Sequence, residues 1–236
     1  MQEHFEKVIG RLRSLEGLVE RLQTVESGGG GVGGWTETSG WSYASATTIT
    51  VPSGAASIYA VGDQIRLKQG GAYKYFSVIA VADTTLTVTG GSDYTVANAA
   101  ITDAAFSKGG GVGHPGWFNW TPAYQGHASM TYTSVTTSIS KFSLVGRMCT
   151  ILLRATGTTG GTASNRLYAS LPINARHGDL NAACFIADGT AAGDQNAGFI
   201  STEVSGSLRF SKYNNGNLGL GTGRSIGCSF SYEIVD

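Results

Sequence analysis

Two stretches decide how the chain divides: residues 27–35, SGGGGVGGW, and residues 108–117, KGGGVGHPGW. Each runs polyglycine, then valine, then a few residues to a tryptophan. Clusters of this kind serve either as phosphate-cradling loops or as joints. A phosphate loop needs a following helix N-terminus and usually a Lys-Ser/Thr pair to hold phosphate and metal. Neither cluster has those parts. Residues 35–41, WTETSGW, carry no helical period, and residues 114–122, HPGWFNWTP, place two prolines where a helix would have to run. The glycines therefore read as joints. They part the chain into a stalk at 1–27, a small β module at 35–107 and a head at 117–236, linked by residues 28–34 and 108–116. Polyglycine behaves as flexible coil, so the pieces are expected to be ordered singly and coupled loosely. Val32 and Val112 are the candidates for stiffening the joints by packing at a three-fold axis.

Composition sets the class. With 236 residues, 41% of them hydrophobic, the chain has material for real cores. It holds 35 glycines and only 14% charged residues, alongside abundant Ser, Thr and Ala, the vocabulary of short strands and tight turns. A mainly β fold follows. Sixteen basic residues balance sixteen acidic ones, so there is no electrostatic footprint for nucleic acid or an anionic membrane. No apolar run is long enough to span a bilayer, and the charged N-terminal segment is neither a secretory signal nor an anchor. A soluble protein made in the cytoplasm is expected. The cysteines Cys149, Cys184 and Cys228 are odd in number, far apart and without zinc-ligand spacing, so they read as buried free thiols. No metal or cofactor is expected.

The stalk shows heptads. Phe5, Val8, Leu12, Leu15, Val19 and Leu22 alternate four and three apart, filling a and d positions. A lone helix of this length, about 40 Å, is marginal in water, and a glycine stretch after it cannot hold it against a neighbour. It needs copies of itself. Arg11 at g and Glu16 at e bracket Leu12 and Leu15 in an arrangement that resembles the Arg-apolar-x-x-apolar-Glu signature of three-stranded coiled coils. Ile9 at e and Leu18 at g widen the apolar seam. A homotrimer is the expectation, with a dimer as the alternative.

In the middle module, residues 47–51, 57–61, 64–68, 75–81 and 85–89 read as five strands of a small barrel or meander. Ile65 and Leu67 against Gln64, Arg66 and Lys68, and Leu86 and Val88 against Thr85, Thr87 and Thr89, give the alternation of half-buried strands. Turn residues separate them. Residues 41–107, which include ATTITVPSGAASIY, VGD and ADTTLTVTGGSDYTVANAAIT, resemble a module recurring in structural proteins of tailed bacteriophages, notably tail-fibre and minor tail proteins. That resemblance implies a virion protein and carries no catalytic motif.

In the head, residues 148–154 read as a strand apolar on both faces. Ile226, Cys228, Phe230, Tyr232 and Ile234 share one face of the last strand, and Leu167, Ala169 and Leu171 suggest an inner strand. With Phe185, Ile200, Leu208 and Phe210 these are expected to build the core of an antiparallel β-sandwich. Trp117, Trp120 and Tyr124 are assigned to packing the base of the head. WFNWTPAYQG at 117–126, SLPINA at 170–175 and SFSYEIVD at 229–236 look like the C-terminal heads of siphovirus fibre and baseplate-associated proteins. The resemblance implies a jelly-roll-like trimeric head that binds the bacterial surface.

Catalytic constellations are weak. The acidic residues of the head, Asp179, Asp188, Asp194, Glu203, Glu233 and Asp236, include no pair whose spacing points to a glycosidase, and Asp188 and Asp194 flank a Gly/Ala-rich stretch suited to turns. His177 beside Asp179 lacks a nucleophile motif. Sugars instead call for aromatics with Asn, Asp and Gln. Tyr213, Asn214, Asn215 and Asn217 in YNNGN, and Asp194 with Gln195, have that chemistry, although YNNGN also reads as a hairpin turn. The expected function is non-enzymatic: a trimeric fibre or spike component of the virion, contacting other virion proteins and a bacterial surface glycan. The alternatives are a capsid head-fibre or decoration protein without a receptor, and a polysaccharide-degrading enzyme, which would call for a solenoid repeat absent from this sequence.

Overall fold

The computed structural model describes residues 33–189, 195–203 and 206–235. The heptad positions of residues 1–27, with the trimer contacts read from them, lie outside the described residues, as do Val32 and Asp194. What is described is mainly β, as the composition implies.

The first sheet holds β1 (Thr36–Glu37), β2 (Ser42–Ser45), β3 (Thr48–Thr50), β4 (Gln64–Gln69), β5 (Ala72–Ala82), β6 (Thr85–Thr89) and β7 (Thr102–Ser107), in the order β1-β7-β4-β5-β6-β3-β2. Every pairing in it is antiparallel. The meander β4-β5-β6 stands where the alternation places it, with Ile65, Leu67, Leu86 and Val88 buried on one face. One expected strand is not one. Residues 57–61 fall in and after a single helical turn, α1 (Ala55–Ile58), which follows Gly54 at φ 89°. Small Ala and Ser side chains after a left-handed glycine favour the tight turn over an extended run. The edge strands β1 and β2 and the inner strand β7 are short or lack clean alternation, so their sequences carry little strand signal.

The second sheet holds β8 (Phe118–Asn119), β9 (Tyr124–Gly126), β10 (Met130–Val145), β11 (Met148–Gly161), β12 (Arg166–Ser170), β13 (Asn181–Asp188), β14 (Gln195–Glu203), β15 (Ser207–Lys212) and β16 (Gly221–Glu233). Their order is β8-β10-β11-β16-β13-β14-β15-β12-β9, again antiparallel throughout. All nine strands of the head are thus hydrogen-bonded in one sheet, where the sequence suggested a sandwich of two. The sheet curls until β9, at one end, lies against β10, next to the other end. Irregular register in β10 around Thr133–Thr136 and Thr137–Ile139, and between β11 and β16 at Gly157–Thr159, supplies the bending. Trp120 bridges the seam: its backbone exchanges hydrogen bonds with Ser140 on β10, and its indole N–H donates to the Ser170 carbonyl at the end of β12.

The curl encloses one core. Cys149, Ile151 and Leu153 from β11, Ile200 from β14, Leu208 and Phe210 from β15, and Ile226, Phe230 and Tyr232 from β16 are buried in it. Two assignments change. Phe185 points outward, because Ile186 takes the inner position of β13 and successive residues alternate faces. On β11 only one face is covered; Met148 is exposed and Leu152 half-buried on the other. Trp117 is likewise exposed, while Trp120 is buried and Tyr124 packs at the edge of the core.

The two sheets are joined by packing. Val61, Tyr75, Ile79 and Tyr94 of the first module lie against the core of the head, and Asn119 accepts a hydrogen bond from Ser92 while donating two to the Asp93 carboxylate. The second glycine stretch, where polyglycine implies flexible coil, is anchored at several points. Lys108 bridges to the buried Asp63 at 2.7 Å, Gly111 N–H donates to Gln64 Oε1, and Val112 N–H donates to the Gly33 carbonyl. Trp35 is buried against this strand of glycines and donates its indole N–H to the Val112 carbonyl at 2.8 Å. A Cβ on Gly111 would stand 2.5 Å from that ring, so the close approach requires glycine. The two glycine-valine-tryptophan runs therefore meet each other. Val112 itself is 70% exposed.

Candidate functional site

The outer face of β12, β15, β14 and β13 carries the strongest constellation of binding groups. Register fixes its layout. One row runs Asn181, Ser201, Arg209 and Tyr168 across the four strands; the next runs Ala183, Phe199, Ser211 and Arg166. Because the sheet period is two, Ile200 and Phe210 between these residues point inward and lock the backbone that presents them. The result is a groove of about 430 Å³ lined by Phe199, Ser201, Arg209, Ser211, Tyr213 and Arg166, with Asn181, Lys212 and Asn215 at its margins.

Phe199 and Tyr213 form its aromatic wall. Their rings are 5.6 Å apart and tilted by 33°, and they stay 45% and 73% exposed. The floor is small and polar. Ser201 is only 2% exposed, and its hydroxyl has no hydrogen-bond partner. Burying a hydroxyl unpaired costs free energy, so a ligand oxygen or water reaching this floor would find a ready donor and acceptor.

The turn at Lys212–Asn215 places Tyr213. Asn215 N–H donates to the Lys212 carbonyl, and Asn215 sits at φ 53°, a conformation asparagine tolerates. Asn165 donates to the Asn215 side-chain oxygen at 2.8 Å and so fixes this side chain at the margin of the groove. YNNGN is thus a turn, as its composition suggests, but it closes no hairpin: β15 and β16 are separated by β14 and β13 in the sheet. Of the predicted contact residues, Tyr213 and Asn215 reach the groove. Asn214 instead accepts the Gly216 N–H, and Asn217 lies exposed beyond it. Gln195 begins β14 opposite Ala187, away from the Phe199 and Ser201 rows. The sequence alone does not single out Phe199, Ser201, Arg166 and Arg209. The alternation of Phe199 and Ser201 about a core isoleucine was the available signal, and only the strand order shows that it faces Tyr213.

No family model, curated protein or solved structure matches the chain.

Among the described residues, Asp179, Asp188, Glu203 and Glu233 have other partners. Asp188 accepts Gly219 N–H at 2.6 Å and pairs with Lys212 at 2.9 Å and Arg224 at 3.4 Å, a clamp between the end of β13 and the chain entering β16. Glu203 and Asp179 both face Arg209, at 2.9 and 3.5 Å. His177 faces Glu233 at 3.7 Å, while the exposed Asp179 carboxylate lies 3.5 Å from Arg209. Among the described residues no cluster of His, Cys, Asp and Glu is arranged to hold a metal, and no helix is long and apolar enough to cross a membrane. All three thiols are free, and burial pushes each up to about 12, so they stay protonated near neutral pH.

Proposed function

We propose that the chain is a non-enzymatic structural protein of a virion, a homotrimeric fibre or spike component that attaches to a bacterial surface glycan through the groove of its head. The carrying observation is the Phe199–Tyr213 ring pair standing over a polar floor whose buried Ser201 hydroxyl is unpartnered. Sugars offer apolar ring faces flanked by hydroxyls, and a concave site with exposed aromatics and few convergent polar groups matches both. The sequence resemblance to tail-fibre modules supplies the virion context. In this reading residues 1–27 form the three-stranded stalk, and the curled sheet is the jelly-roll-like tip.

A second copy has a surface to cover. Ile139, Leu152 and Phe185 surround Gly227 in an apolar groove on the outer face of β10, β11, β16 and β13, with the Arg154 guanidinium 5.2 Å from the Phe185 ring centre. Heptads that bring chains together at one end place such a face within reach of its neighbours.

Binding of the intact protein to host cells and to their purified surface polysaccharide tests the reading. The double variant Phe199→Ala, Tyr213→Ala is expected to lose that binding while melting normally. Assembly onto capsids with no cell binding would favour a decoration protein, and release of reducing ends from the polysaccharide would establish an enzyme.

A further inference from the structure

Among the described residues, the charged groups lining the groove are all cationic: Arg166, Arg209 and Lys212, with no carboxylate beside them in the lining. Two of the three are committed. Arg209 is held by Glu203 and Asp179, and Lys212 by Asp188. Arg166 is different. It is half-buried, and among the described residues no carboxylate lies within 4.0 Å of it.

Its place in the register matters. Arg166 pairs with Ser211, and Ser211 pairs with Phe199, so guanidinium, hydroxyl and aromatic ring stand in one row across three strands. Neighbouring strands are about 4.8 Å apart, which puts the Arg166 and Phe199 backbones about 10 Å from each other, a span that takes one sugar ring with a charged substituent. A guanidinium without its counter-charge in a partly desolvated site is costly, and its planar fork fits the two oxygens of a carboxylate or phosphate.

We infer that the sugar taken by this groove is acidic, with its anionic group bound by Arg166 and Ser211 and its ring face against Phe199 and Tyr213. The inference rests on the glycan reading of the groove given above. Neutral sugars would use the rings and the floor hydroxyl alone and leave Arg166 unpaired.

Titration calorimetry of the intact protein separates the cases, with three probes: an oligogalacturonate for carboxylate, a glycerol-phosphate oligomer for phosphate, and cellohexaose as the neutral control. One of the two acids is expected to bind at least about tenfold tighter than cellohexaose, the scale of one charge-assisted hydrogen bond. Which acid binds identifies the source of the charge. Arg166→Gln is expected to remove that advantage, and Arg166→Lys to keep part of it. Ser211→Asp, which places a carboxylate beside Arg166, should abolish acid binding without lowering the melting temperature. Equal binding of all three probes, insensitive to Arg166→Gln but weakened by Phe199→Ala, would overturn the acidic specificity and leave the glycan site standing. Binding of none of them would overturn the acidic specificity, and binding indifferent to Phe199→Ala and Tyr213→Ala would overturn the glycan site as well.

Discussion

Protonating His114 sets two donors against each other. Its Nδ1 accepts the Gly116 N–H at 3.2 Å and its Nε2 lies 3.3 Å from the Phe76 carbonyl, a pattern that specifies the neutral ring with hydrogen on Nε2. The ring sits among Trp35, Tyr75 and Phe118, the first two from the small module and the third from the head. Burial there lowers its pKa from the ordinary 6.5, outweighing the Phe76 hydrogen bond, which acts in the opposite sense. The folded state therefore binds the proton less readily than the unfolded chain. The contribution of His114 is complete above pH 6.5 and is lost as pH falls from there through the lowered folded value. Melting temperature should accordingly drop between pH 7.5 and 5, and His114→Phe should flatten that slope; an unchanged slope would show that protonation elsewhere governs it. In the sequence this histidine is merely part of a helix-breaking HPG run. Nothing local reveals that rings from positions 35, 75 and 118 converge on it.

At the scale of elements, what was legible was alternation, and what was hidden was pairing. Leu86 and Val88, or Phe230 and Tyr232, declare their buried face because period two against a single core admits no other phase. Phe185 misleads because hydrophobicity is also used on the outer face, where it shares a groove with Leu152. The candidate site was half legible for the same reason: Tyr213 and Asn215 advertise a turn with binding chemistry, whereas Phe199, Ser201 and Arg166 become one site only through the strand order β14-β15-β12. Asp188 likewise reads as a turn former, yet it joins β13 to the start of β16 through Lys212, Arg224 and Gly219. Asp188→Ala would strand two mostly buried cations, and a loss of about 3 kcal/mol or more is expected in denaturant unfolding. A change under 1 kcal/mol would mean that water replaces the carboxylate. The glycine stretch at 108–116 makes a kinetic prediction. Because Trp35 covers Gly111 and bonds to Val112, limited proteolysis should spare this stretch in the native chain, and Trp35→Ala, costing about 3–5 kcal/mol, should open it to early cleavage. Early cleavage of the unmutated chain between positions 109 and 113 would show that the packing is too weak to matter.

For the whole molecule, the two described sheets form one body through an aromatic chain, Tyr75 to Tyr94 to Phe118 to Phe142, that crosses from module to head. A single packed body of this kind gains little from a loose tether and much from being repeated. Three copies would present three grooves at once, and weak sugar contacts then add by effective concentration rather than by tighter fit. The heptads at residues 1–27 are the proposed device for that repetition. Each fully buried aliphatic side chain contributes about 1.5–3 kcal/mol, and ordering the helix and associating the chains consume much of the sum. The margin is therefore small enough for two substitutions to erase. Leu12→Asp with Leu15→Asp puts unpaired charges into the seam. Light scattering should give a trimer for the unmutated chain and a smaller species for the variant, while the β signal in circular dichroism stays unchanged. A monomeric unmutated chain would defeat the stalk. A variant that stays trimeric would move assembly to the sheets, and the apolar outer face at Ile139, Leu152 and Phe185 would then be the first place to mutate.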